Sequence, residues 1–446
     1  MNKTIVALAI CLCGVMASAQ TTIEVSLEEA RVIATRAFLA GDTDTALQIA
    51  QGLLQANPDD RAALVIVAAA ADPATGRKAG ARAWALSETD AQRYEAARLT
   101  ALAYAREERF TLATFWLRRA LTVAPTDDET ARTTQDAAQL VRLNPWSNAI
   151  SFALVPSNNV NGGADDDILT APGLPDGTLS PDAQALAGIR AVLGVRTQYR
   201  LSQSAEQRTT VALSYQGSRV RLEDSAAAAG VSGRAFATDA ADVTLGHDRA
   251  LDSGSMSARL TFGTYDFGRK DYYDFQRLTL GRALPLTDAT SLQVVATQER
   301  QTYAQTNIGT IDRTALRGTL AHRLNSRDRI SATLTYTHSE GDSVNYSYDD
   351  WSLEGSYAWA DPFGPVTLAI GGGVKWSDYP DYVLIFPVDG GREDLTFFYS
   401  MNMGFNDLTY AGFTPGLQIS GNVADSNISR FTRNTVSVGL TLNSNF

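Results

Sequence analysis

The chain has 446 residues, 44% of them hydrophobic and 20% charged, with a formal net charge of −11 and a sequence pI of about 4.9. That acidic balance argues against nucleic acid as a partner, since phosphates need a basic face. The two cysteines, Cys11 and Cys13, both fall in the first 19 residues, which excludes disulfides, thiolate metal sites and thiol catalysis from the rest.

Residues 1–19 read as a cleaved secretory signal. Lys3 supplies the positive start, Ile5 to Val15 the apolar stretch, and Ala17-Ser18-Ala19 a small-x-small site before Gln20. Beyond it no run approaches the roughly 20 apolar residues of a spanning helix. The longest, Ala62 to Ala71, is about half that. A chain that must pass one membrane before inserting in a second avoids such runs.

Residues 20–144 are rich in Ala, Leu, Glu and Arg, with apolar positions at three and four spacing. Gly41-Asp42, Asn57-Pro58 and Pro125-Thr126 punctuate the region into helices of about a dozen residues. Ala46, Ala50, Leu53 and Pro58 share their mutual spacings with Ala113, Leu117, Ala120 and Pro125, about two 34-residue tetratricopeptide periods apart. Ala101 and Tyr104 take the small and aromatic positions of a first helix in that register. A degenerate middle copy rests on Ala79, Ala83 and Leu86. Three repeats and a final helix over 127–143 are expected. The face that lines the groove of such a stack carries Glu28, Arg31 and Phe38 in the first copy and Glu95, Arg98 and Leu102 in the third. These six are candidate client-binding residues; the competing reading is solvated i,i+3 pairs on a helix surface.

From residue 145 the alternation changes from about 3.6 to 2. Ile330, Ala332, Leu334 and Tyr336 alternate with Ser331, Thr333, Thr335 and Thr337. Fourteen strands are expected over 145–446, among them 147–155, 345–359, 408–421 and 430–446, most of them longer than the 5–6 residues usual in a sandwich. Short connections alternate with ones that include the long 156–187, 222–238 and 380–390. This pattern predicts a 14-stranded antiparallel outer-membrane β-barrel, with short periplasmic turns and longer outside loops. An even count puts both barrel ends on one side, with the helical region in the periplasm. Aromatics near the strand ends (Tyr265, Phe267, Tyr272, Tyr273 and Phe275 at one rim, Trp359 and Phe363 at the other) match interfacial girdles. The last strand puts Val436, Val438, Leu440, Leu442 and Phe446 on one face, and Phe446 reads as a signal to the barrel-assembly machinery.

Catalytic motifs are lacking. His247, His322 and His338 lie in separate strands as ordinary interface residues, and no HExxH, GxSxG or P-loop occurs. Gly371-Gly372-Gly373 marks a bend or close packing. Asp165-Asp166-Asp167 lacks the spacing of a calcium loop. No enzyme activity, cofactor or metal is expected; a strand-borne hydrolase is the only enzymatic alternative.

The run Pro156-Ser157-Asn158-Asn159-Val160-Asn161, entering the first long connection, resembles the start of the barrel in the surface lipoprotein assembly modifier family. The plan of signal, short tetratricopeptide region, fourteen strands and terminal Phe is similar to that family over the whole chain. The resemblance implies a monomeric factor that moves client lipoproteins, or related secreted proteins, to the cell surface. A periplasmic chaperone and outer-membrane lipid are its further expected partners. Pro156, Asn158, Asn159, Val160 and Asn161 are the family-motif positions, either holding the loop or meeting cargo, since asparagine caps strand ends and turns. Competing functions are a passive porin and a polysaccharide-export channel with a periplasmic repeat domain.

Overall fold

The computed structural model describes residues 25–223, 230–410 and 412–445. The signal segment and Phe446 lie outside the described residues.

Seven helices come first: α1 Leu27–Leu39, α2 Thr43–Ala56, α3 Arg61–Ala70, α4 Pro73–Ala85, α5 Asp90–Arg106, α6 Phe110–Leu121 and α7 Asp127–Leu143. Six of the seven starts are written in side chains, α6 being the exception. Ser26 and Glu29 form a reciprocal capping box, and Asp42, Asp60, Asp72, Thr89 and Thr126 each accept a backbone N–H from the first turn. Small residues let the helices close on one another: Ala34, Ala46, Ala50, Ala63, Ala79 and Ala83 are all buried. A Cβ on Gly80 would come within 2.3 Å of Thr100 Oγ1, so α4 meets α5 only through glycine. The residues expected of a middle copy form two helices, α3 and α4, and α7 spans the residues expected of the final helix. None of these helices is long and apolar enough to cross a membrane.

Two compact units divide at Glu108, so α6 and α7 group with the strands rather than with the first five helices. The reason lies at the end of α7. Arg200 donates to the carbonyls of Arg142, Leu143 and Asn144 at 3.0, 3.2 and 3.1 Å, capping that helix with a cation. Asn144 bridges Thr111 of α6 and the backbone N–H of Trp146.

Fourteen antiparallel strands then close a barrel: β1 Trp146–Ser157, β2 Gly188–Gln203, β3 Gln207–Leu222, β4 Thr238–Ala250, β5 Ser255–Phe267, β6 Lys270–Pro285 and β7 Thr290–Tyr303. The second half is β8 Thr310–Arg323, β9 Arg329–Gly341, β10 Tyr348–Ala358, β11 Val366–Tyr379, β12 Arg392–Phe405, β13 Phe413–Ser426 and β14 Arg433–Asn445. The alternation is as expected: Val436, Val438, Leu440 and Leu442 all face outward and are exposed, as are Leu316 and Leu320 on β8 and Leu395 and Phe397 on β12. An apolar exterior of this extent suits hydrocarbon, not water. Gly373 belongs to the packing of the wall, where a Cβ would meet the Leu353 carbonyl at 2.3 Å.

β1 and β14 are neighbours, so both ends of the barrel lie at one rim, where α7 enters. The connections at that first rim are short. Those at the second rim include 158–187 and 380–391, but the length alternation is not strict. Residues 268–269 join β5 to β6 in a two-residue turn, with positive φ at both Gly268 (62°) and Arg269 (64°), the conformation of a tight hairpin. Two strand starts also move. β13 starts at Phe413 rather than 408, because Asn406–Leu408 form a 3₁₀ turn whose exposed Leu408 and Tyr410 imitate strand alternation. β10 starts at Tyr348, after a similar turn at Val344–Tyr346.

The aromatic girdle is corrected in part. Tyr265, Tyr273 and Phe275 share the face of Arg277 and Thr261 and point into the barrel, with Tyr265 stacked on Tyr273 at 5.0 Å. Outward aromatics are instead Phe262, Trp351, Trp376, Phe397 and Tyr399. Strand-end position alone did not decide which face each ring took; the two-residue parity did.

Candidate functional site

The closing seam is the least regular joint of the wall. β1 pairs with β2 at twelve consecutive positions, from Trp146 to Ser157. It pairs with β14 at seven, with a lapse at Val155 and Pro156 before Ser157 meets Ser437. Pro156 has no N–H to donate. On the other side of β14, Pro415 of β13 stands opposite Leu442, so the closing strand runs between two prolines. Proline is seldom placed inside a sheet, because each one removes a ladder hydrogen bond.

Asn158 takes over where the strand ends. Its Oδ1 accepts from the Val436 N–H at 2.8 Å, its Nδ2 donates to the Asn434 carbonyl at 3.0 Å, and its own N–H reaches the Val436 carbonyl. The side-chain amide thus continues the ladder by mimicking a peptide. Asn159, only 5% exposed, exchanges two bonds of 2.9 Å with Gly163 and closes a turn. Asn161 donates to the Asp182 and Gln184 carbonyls and accepts from the Leu186 N–H, fastening the two ends of the connection together. Val160 is buried, and Arg190 donates to its carbonyl. All three asparagines therefore bond to backbone, which is the loop-holding reading of the motif.

The 158–187 connection then crosses the seam. The Asp165 N–H donates to the Thr432 carbonyl, the Thr170 N–H to Ser429 Oγ, and Ser429 Oγ to the Ile168 carbonyl. Leu169, Ala171 and Leu174 pack on buried Tyr382, Val388 and Ile428 from the connections before β12 and β14. Arg392 anchors the far side, its guanidinium 4.4 Å from the Tyr379 ring centroid and 3.3 Å from that of Phe431, with Asp394 as its carboxylate partner. Neither Ser429 nor Arg392 was among the sequence candidates. The alternation Arg392-x-Asp394 puts both on one face, which was the available signal.

Inside the barrel, the register aligns Arg277, Glu299, Arg313 and Ser339 on four adjacent strands. Arg277 pairs with Glu299, which also accepts from Gln301. Near the first rim the inner wall is less crowded, and a cavity of about 800 Å³ is lined by Asn402, Gln418, Thr441 and Asn443.

The helical candidates differ in their surroundings. Arg31 bonds Glu28 at 2.7 Å and Asp60 at 2.8 Å, and Asp60 is the buried cap of α3. Glu95 pairs with Arg61 across 34 positions. Arg98 donates to Tyr94 Oη and lies over its ring. Phe38 packs against the helical core, and Leu102 is exposed. Arg31 and Glu95 therefore tie one helix pair to the next, while Glu28 bonds Arg31, and Arg98 bonds Tyr94, each within its own helix.

The histidines bond Thr209, Thr290 and Asp349 respectively, in three different places. Among the described residues, no group of three or more His, Cys, Asp or Glu side chains could hold a metal ion.

Residues 146–446 match the family model described as surface lipoprotein assembly modifier. No curated protein matches the chain. Solved structures similar to it include OccAB3 of Acinetobacter baumannii (TM-score 0.40, 10% identity, covering 68% of this chain and 99% of that one). A loop-deletion mutant of OmpT, an outer membrane protein of Vibrio cholerae, superposes with a TM-score of 0.35 and 8% identity, over 68% of this chain and 100% of that one. Overlaps of this size carry no functional argument.

Proposed function

Since the chain belongs to the surface lipoprotein assembly modifier family, we propose that it carries lipoproteins from the periplasm to the cell surface. Its barrel sits in the outer membrane, and in this reading the helices face the periplasm. The observation that carries the proposal is the weakened seam between β1 and β14, bridged at its outer end by Asn158 and the 158–187 connection. A client needs a way past a closed wall, and this joint loses the fewest ladder bonds on opening. The transfer is non-covalent and calls for no cofactor. Exposed Leu102 and the surface around Glu28, Arg31, Phe38, Glu95 and Arg98 offer the client or a chaperone a first landing place. Phe446 would direct insertion by the barrel-assembly machinery.

The test is protease shaving of surface lipoproteins in a deletion strain. Loss of shaving for at least one lipoprotein, restored by the plasmid-borne gene, is the expected result; unchanged shaving for every lipoprotein would overturn the proposal.

The polar cavity near the first rim favours a second reading, a solute channel. Steady single-channel conductance, unaffected by removal of the helices and accompanied by unchanged shaving, would select it instead.

A further inference from the structure

Outside the barrel, the seam carries a groove that the lipid-facing wall does not need for its own packing. Phe152 and Leu154 of β1 stand opposite Leu442 and Leu440 of β14, and Leu442 stands opposite Pro415 of β13. One apolar row thus runs over three strands. The 3₁₀ turn Asn406–Leu408 lifts Phe405 and Leu408 beside this row and makes a raised bank, with Pro415 at the floor between. The enclosed volume is about 380 Å³. Leu408 and Leu440 are 65% and 62% exposed, more than most wall residues, so no described residue of the chain covers them.

We propose that this groove holds an acyl chain of the client's lipid anchor while its polypeptide engages the seam. The inference rests on the translocation reading above. Two observations favour an acyl chain of the anchor. The described lining of the groove is wholly uncharged and takes hydrocarbon rather than a polar group, while the guanidinium of Arg118 stays beyond it at Ser444. The groove also lies toward the rim where α7 enters and across the joint between β1 and β14, where anchor and polypeptide would have to part company.

The full-length protein in phosphatidylethanolamine–phosphatidylglycerol vesicles is photolabelled with a dipalmitoyl-glyceryl-cysteinyl peptide carrying a diazirine in one acyl chain. Peptides containing Leu408 or Leu440 should be labelled at least five-fold more than those containing Leu316, on the wall at β8. Leu442→Trp fills the groove and should abolish the preference. Leu408→Ala, in a turn outside the ladder, lowers the bank and should reduce it even if the tryptophan variant inserts poorly. A diazirine phosphatidylethanolamine at the same mole fraction should show no preference. Equal preference for that phospholipid would assign the groove to bulk lipid, and uniform labelling by the lipopeptide would show no site; either overturns the inference. Labelling requires no transport, so it can fail while the deletion strain still loses surface lipoproteins, and the reverse.

Discussion

Asn158 acts as a peptide group borrowed from a side chain, and its removal has a calculable size. Asn158→Ala deletes two hydrogen bonds to β14, each contributing about 0.5–1.5 kcal/mol. The folded band on a semi-native gel should persist to a temperature several degrees lower, with the helices unaffected; an unchanged transition would show that the amide contributes nothing to closure. Asp328 offers a second test at this scale, at the first rim. Its carboxylate accepts from the Ala360 N–H at 2.9 Å, from Tyr357 Oη and from Ser326 Oγ, and these bonds hold its pKa below the ordinary 3.8. A depressed folded-state pKa means the stabilisation is present above the ordinary value and is lost as pH falls through the lower one. Protection of the Ala360 amide against exchange, referred to its intrinsic rate, should hold down to about pH 4 and collapse below it. Asp328→Ala should flatten that dependence. In the helices, Arg31→Ala should lower the melting temperature, since Asp60 would lose its cation, whereas Leu102→Glu should spare stability and weaken client pull-down.

Elements were legible where one physical signal decided them. Two-residue alternation over long segments identifies all fourteen strands, and the breaks at Gly41-Asp42, Asn57-Pro58 and Pro125-Thr126 fall between helices. The starts of β10 and β13 were not legible. Leu408 and Tyr410 alternate like a strand, yet they stand exposed in the turn that banks the outer groove. The 67-residue recurrence of glutamate and arginine was visible, but not that Arg31 and Glu95 would be taken up by Asp60 and Arg61, because those partners come from neighbouring helices. The asparagine run was legible as a motif, its bonding pattern only from the fold. At this scale the seam itself is testable. Ser151 and Asn443 are directly paired across it, within the separation a disulfide can span. With no other cysteine after residue 13, Ser151→Cys with Asn443→Cys gives an unambiguous crosslink. Oxidation should block surface display of lipoproteins and reduction restore it; display that continues in the oxidised state would assign the route to the lumen.

Across the whole barrel, the connections at the second rim interlock, so the 158–187 segment does more than join β1 to β2. Excising residues 165–182 would strip Leu169, Ala171 and Leu174 from the cluster around Ile428 and Tyr382. The expected outcome is an outer membrane more permeable to vancomycin and a barrel that opens at lower temperature; unchanged permeability would show that the segment fastens the seam without closing the mouth. Closure of the ring has one more consequence, in time rather than in space. Asn158 and Val436 are 278 positions apart, so their bond joins almost the first barrel residues to almost the last. Hairpins between consecutive strands close short loops and can form early, whereas this joint must wait for the largest loop of all. The wall is therefore an open, curling sheet for most of its assembly. Pro156 and the lapse beside it weaken the last bonds made, which are the same bonds a passing client would ask to be undone.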